Sequence, residues 1–163
     1  MTKKLLIAGS ALALICSCNS MENPLLKESS APFGAPEFDK IKNEHYLPAF
    51  EAGIAEAKAE IDAIIANDEE PTFENTIEAM EYAGATLNNA AMIFYALMEA
   101  NTNDTMQQVA EQLSPMLTEY EMYVSLNADL FARVKAVYEK RNELGLDKDQ
   151  MTLLENNYKS FVR

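Results

Sequence analysis

From residue 45 onward the apolar positions recur at three- and four-residue steps, the period that places them on one face of an α-helix. The first helix is predicted to open within "HYLPAF", because Pro48 suits a first helical position, where its missing amide costs nothing. Leu47, Phe50, Ile54, Ala57, Ile61, Ile64 and Ile65 form its apolar stripe, and Glu51, Glu56, Lys58 and Glu60 take the other faces. Asn67 through Thr72 is a polar turn. Asn75 and Glu78 then have capping-box spacing, and Ile77, Met80, Leu87, Ala91, Phe94 and Met98 predict a second helix that runs across Gly84. An interior Gly costs about 1 kcal/mol relative to Ala, so close helix packing is expected at Gly84.

Asp104 and Gln107 read as the next capping pair. They open a third helix along Met106, Val109, Leu113, Leu117 and Tyr120, with a kink expected at Pro115. A fourth helix starts near Asn127 with Leu130, Phe131, Val134, Val137 and Tyr138 on its apolar face, and Gly145 marks its end. Asp147 and Gln150 cap a fifth, whose stripe Met151, Leu154, Tyr158, Phe161 and Val162 reaches the last residues without a helix stop and is expected to be exposed. The prediction is an all-α antiparallel array of about five amphipathic helices.

Composition changes this picture little. At 163 residues, 48% hydrophobic and 24% charged, the chain suits one globular domain. The net charge of -13, with no basic cluster after the first four residues, argues against nucleic acid as a partner, since phosphate backbones would be repelled.

The first residues differ. Lys3 and Lys4 precede an apolar run from Leu5 to Ile15, followed by the small residues of "CSCNS", the layout of an export signal. Ile15 lies three places before Cys18 with Ser17 between, a lipobox-like arrangement that makes Cys18 the expected lipid attachment site. The expected organisation is a lipoprotein-type signal over 1–17, a tether or surface-docked linker over 18–40, and a helical region over 41–163. The product is then expected in a bacterial cell envelope, held to the membrane by its lipid. Both cysteines lie in this leader region, so the rest has no disulfide framework.

Residues able to do chemistry are few. A zinc site of the His-Glu-x-x-His type needs two His one helical turn apart, and the chain has one His in total. His45, close to Pro48, reads as a helix-start or packing residue. "NDEE" at 67–70 lacks the alternating ligands and central Gly of a calcium loop and reads as a solvated turn. Met and Tyr at helical spacing read as core. No catalytic and no metal-ligating residue is assigned in this chain.

Four segments, "HYLPAF", "PTFENTIEA", "TND" and "LFARV", occur in an order and at separations that resemble the amino-terminal region of the thimet-oligopeptidase-like zinc metallopeptidases, closest to its peptidyl-dipeptidase members. The resemblance runs from Phe38 to Arg163. It implies a larger helical enzyme holding one zinc ion, acting on oligopeptides and releasing dipeptides from their carboxyl ends. The zinc ligands would lie past Arg163, and these helices would supply scaffold and channel wall. The alternative is a self-contained, non-catalytic helical lipoprotein that binds a partner through the exposed face of its last helix.

Overall fold

The computed structural model describes residues 23–162, so Cys18 and the leader lie outside the described residues. Five long helices and one short one follow in order: α1 (Asn43–Ile65), α2 (Ala79–Tyr82), α3 (Ala85–Asn101), α4 (Asp104–Ser125), α5 (Ala128–Glu139) and α6 (Lys148–Phe161). No strand occurs among the described residues.

The first helix opens five residues earlier than the Pro48 start expected from "HYLPAF". His45 Nδ1 accepts from the Lys42 amide at 3.1 Å, which satisfies an orphan donor at the helix start and lets the turn begin at Asn43. Pro48 therefore sits inside α1 on its exposed side, where its amide would otherwise have met the carbonyl of exposed Glu44.

Three helices share one core. Phe94 of α3 meets Tyr46 and Phe50 of α1 edge-on at 4.8 and 5.7 Å between ring centroids, while Leu87 lies against Gly53, so α1 and α3 run antiparallel. Asn43 bonds Asn103 at 3.1 Å and Lys58 pairs with Glu119 at 3.0 Å, which makes α4 parallel to α1. Leu25, in a short 3-10 turn, is buried in the same core, so one residue of the expected linker docks while Leu26, Phe33 and Phe38 stay exposed.

The fifth and sixth helices form an antiparallel hairpin in which Tyr138 stacks on Tyr158 at 3.9 Å and Phe131 on Phe161 at 5.5 Å. Its core is Phe73, Ile77, Val134, Val137 and Leu154. A smaller cluster of Ile61, Ile64 and Leu130 joins the hairpin to the end of α1. The apolar face of α6 is thus largely covered by its own chain: Leu154 is fully buried and Phe161 partly so, with Val162 left exposed.

The continuous second helix expected across Gly84 does not form. Residues 73–78 make a π-helical turn, α2 adds four residues, Ala83 is extended, and Gly84 is left-handed at φ 79°. The Gly84 amide donates to Glu60 Oε2 of α1 at 2.7 Å, which holds the break in place. Gly is there for its backbone freedom, because an L side chain at that φ is strained. Close packing falls instead at Gly53, where an added Cβ would lie 2.9 Å from the Leu87 Cα.

Two capping pairs also shift. Thr72 and Asn75, not Asn75 and Glu78, form the reciprocal box at the π turn, and Asn103, not Asp104, caps α4 by accepting from the Met106 amide at 3.0 Å. The helix start at Asn127, which caps α5, and the box of Asp147 with Gln150 stand where the sequence puts them. Pro115 lies within α4 and does not divide it.

Candidate functional site

The residues with chemistry to offer are dispersed. Among the described residues no group of three or more His, Cys, Asp and Glu side chains converges to hold a metal ion. His45 is buried, with Nδ1 engaged by the Lys42 amide and its carbonyl accepting from Asn23 Nδ2 at 2.8 Å, so it starts a helix and ties down the preceding strap. These donors do not fit the zinc implied by the family resemblance.

The "NDEE" turn is more than a solvated loop. Arg133 of α5, which periodicity did not single out, is buried and reaches across to it: Nη1 donates to the Asn67 carbonyl at 2.6 Å and Nη2 to Asn75 Oδ1 at 3.2 Å. Asn75 is the hub of this corner. Its Oδ1 also accepts from the Thr72 amide at 2.8 Å, and its Nδ2 donates to the Glu70 carbonyl at 3.0 Å. Burying a guanidinium costs free energy unless acceptors meet it; here the Asn67 and Glu69 carbonyls and Asn75 Oδ1 supply them, while the buried Nε has none. The one available sequence signal was an Arg at a position whose neighbours Leu130, Val134 and Val137 face the core.

Asn75→Ala removes the return half of the Thr72 capping box and leaves the Thr72 amide and one Arg133 donor unpaired. It is expected to cost about 2 kcal/mol, and combining it with Arg133→Met should cost less than the two singles together, because both cut the same network. Urea unfolding of the four proteins in the cycle measures this; strict additivity would remove the network from consideration.

Lys140 pairs with Glu70 on the outer side of the same turn. That hydrogen bond, and then the ammonium charge, hold the Glu70 carboxyl below its ordinary range, and the same bond, and then the Glu70 carboxylate, raise Lys140. A depressed carboxylate contributes stability that is present above its unfolded pKa and lost as pH falls through its folded pKa. The contribution of this exposed pair is therefore expected to be small and to fade in acid. In an NMR titration Glu70 should protonate at lower pH than other exposed glutamates, and Lys140→Met should return it to their range.

Among the clefts in the surface of the described residues, two flank α3. One, of about 330 Å³, lies between the Pro24–Glu37 strap and α3. The other, of about 510 Å³, lies beside Gly84 with Tyr82, Leu87 and Ala91 on one side and Leu117 and Tyr120 on the other. Burial, and then the Glu60 carboxylate, push the Tyr120 phenol up, so it remains a neutral hydrogen-bonding group there.

Among the described residues, the clefts and helices bring no group of metal-binding side chains together. Over 140 residues, 86% of its length, the chain is 44% identical to the dipeptidyl carboxypeptidase of Escherichia coli (strain K12). The chain is a relative of dipeptidyl carboxypeptidase. The Salmonella typhimurium dipeptidyl carboxypeptidase is 41% identical over 140 residues, and oligopeptidase A of the same organism 24% identical over 141. The resemblance to thimet-oligopeptidase-like peptidases read from "HYLPAF", "PTFENTIEA", "TND" and "LFARV" therefore holds over most of the chain. The matched residues span about a fifth of the relatives' length, 21% of either dipeptidyl carboxypeptidase and 20% of oligopeptidase A. No family model matches the chain.

Proposed function

We propose that these helices are the scaffold portion of a larger zinc-dependent peptidase that removes dipeptides from the carboxyl ends of oligopeptides. The 44% identity to dipeptidyl carboxypeptidase over 140 residues carries this reading. The helices' part is to wall and position, since their one His is committed to a helix start. The zinc would be held by residues outside the 163, and oligopeptides would be the substrates of the whole protein.

The leader extends the proposal. Cleavage after Ser17 and acylation of Cys18 would place the peptidase in the cell envelope, tethered by residues 18–40, where it would act on imported peptides. Metabolic labelling with palmitate is expected to mark the protein, and Cys18→Ser is expected to abolish both label and membrane partitioning; label retained on the variant overturns the anchor.

The activity is tested on the protein encoded by the complete reading frame, with an amino-blocked oligopeptide and the same peptide carrying a carboxyl-terminal amide. Dipeptide release from the free acid alone, abolished by a chelator, is expected, together with no hydrolysis by the 163-residue chain. Internal cleavage of both peptides would assign oligopeptidase specificity instead, and no cleavage of either would overturn the peptidase reading.

A further inference from the structure

The helices α3 and α4 both pack along α1 and share its core, but their backbones approach each other less closely than either approaches α1. Two helices flanking a third in this way leave one side of a four-helix arrangement open, and the 510 Å³ groove beside Gly84 is that opening. Its walls are apolar: Leu87 and Ala91 from α3 face Leu117 and Tyr120 from α4, and Tyr82 stands at the rim 72% exposed. Ala91, half-buried on the groove wall, is small enough for another backbone to approach closely.

The charge around the groove has one sign. Glu81 lines it, the Glu60 carboxylate sits at the Gly84 amide, and no cation is among the lining residues. The placement of α6 adds a direction. Phe161, in its last turn, packs on the same Ile61, Ile64 and Leu130 cluster as Ala83, and Ala83 lines the groove. Sequence following α6 in a longer protein would therefore begin beside it.

We propose that the groove between α3 and α4 seats an amphipathic helix of the same peptidase, contributed by sequence beyond these 163 residues, with a basic side chain opposite Glu81. This rests on the reading of the chain as part of a larger protein, since the matched residues span 21% of dipeptidyl carboxypeptidase. The seated helix covers Tyr82 and Leu117 and completes the bundle by the pattern of spaced apolar anchors that helix-in-groove docking uses. Helix capture of this kind couples the scaffold to the rest of the enzyme without contributing a catalytic group.

The test places the photo-crosslinking amino acid p-benzoylphenylalanine at Asn88, an exposed groove-lining position, in the protein encoded by the complete reading frame. After irradiation, peptide mapping is expected to find an intrachain crosslink to a segment past residue 163 whose apolar residues recur at helical spacing and which carries Lys or Arg. The same substitution at Tyr82 should reach the same segment. Crosslinks to a second copy, crosslinks confined to residues 23–162, or none at all overturn the proposal. Dipeptide release by the unsubstituted protein is measured alongside. Release without the crosslink overturns the groove assignment alone, whereas no release overturns the peptidase reading. A reading frame that stops at Arg163 overturns both.

Discussion

Phe94→Ala is expected to destabilise this protein by about 4 kcal/mol, the range for deleting a fully buried aromatic ring whose cavity cannot collapse. Phe94 is wholly enclosed and holds three rings edge-on, Tyr46 at 4.8 Å, Tyr95 at 5.2 Å and Phe50 at 5.7 Å. Those pairs are worth about 0.5–1.5 kcal/mol each beyond burial. Tyr46 and Phe50 belong to α1, so the substitution strikes the contact on which α1 and α3 are assembled. Urea denaturation followed by far-UV circular dichroism measures the loss. A decrease below about 1 kcal/mol would mean that the three-helix core is not built around this ring.

Gly53→Val is the second large effect, expected at about 3 kcal/mol through overpacking. A Cβ at residue 53 would stand 2.9 Å from the Leu87 Cα and 3.0 Å from its amide nitrogen, and both are backbone atoms with no rotamer to escape into. The helices must separate, and Ala57 and Phe50 lose their contacts with α3. Ala55→Val, on the exposed side of the same helix, changes propensity without packing and should cost about 0.5 kcal/mol. Equal effects at the two positions would show that α1 and α3 do not approach as closely as described.

The helices were legible where a local rule was sufficient. Asp147 with Gln150, and Asn127 before its apolar face, cap their helices as read, since a capping box closes within four residues and needs nothing from elsewhere. The second helix was misread because the stripe Ile77, Met80, Leu87, Ala91, Phe94 and Met98 continues in phase through Gly84, while the break depends on an acceptor from α1, the Glu60 carboxylate. The cap at Asn75 was displaced for a related reason. Its side chain serves Thr72 before it and Arg133 from another helix, so its role was decided by partners on both sides.

The candidate site follows the same division. That the chain offers no zinc donors of the His-Glu-x-x-His type was evident from a single His, and the relationship to peptidases from four short segments. Arg133 was passed over because a charged residue between core positions is ordinarily a solvated one. Its acceptor at Asn67 lies 66 residues away.

The sequence alone determined that the molecule is helical, which face of each helix is apolar, and which peptidase lineage it resembles. These follow from periodicity, capping and residue identity, all of which act along one stretch of chain. Only the tertiary structure decided that α3 and α4 both lean on α1 and share its core, that Gly53 rather than Gly84 is the point of closest approach, and that α6 folds back onto α5. An apolar stripe sets the direction in which a helix must be covered but not the element that covers it. That choice is made by side-chain volumes meeting across long sequence separations, where a few tenths of an ångström at Leu87 or one hydrogen bond to Gly84 decides between neighbours.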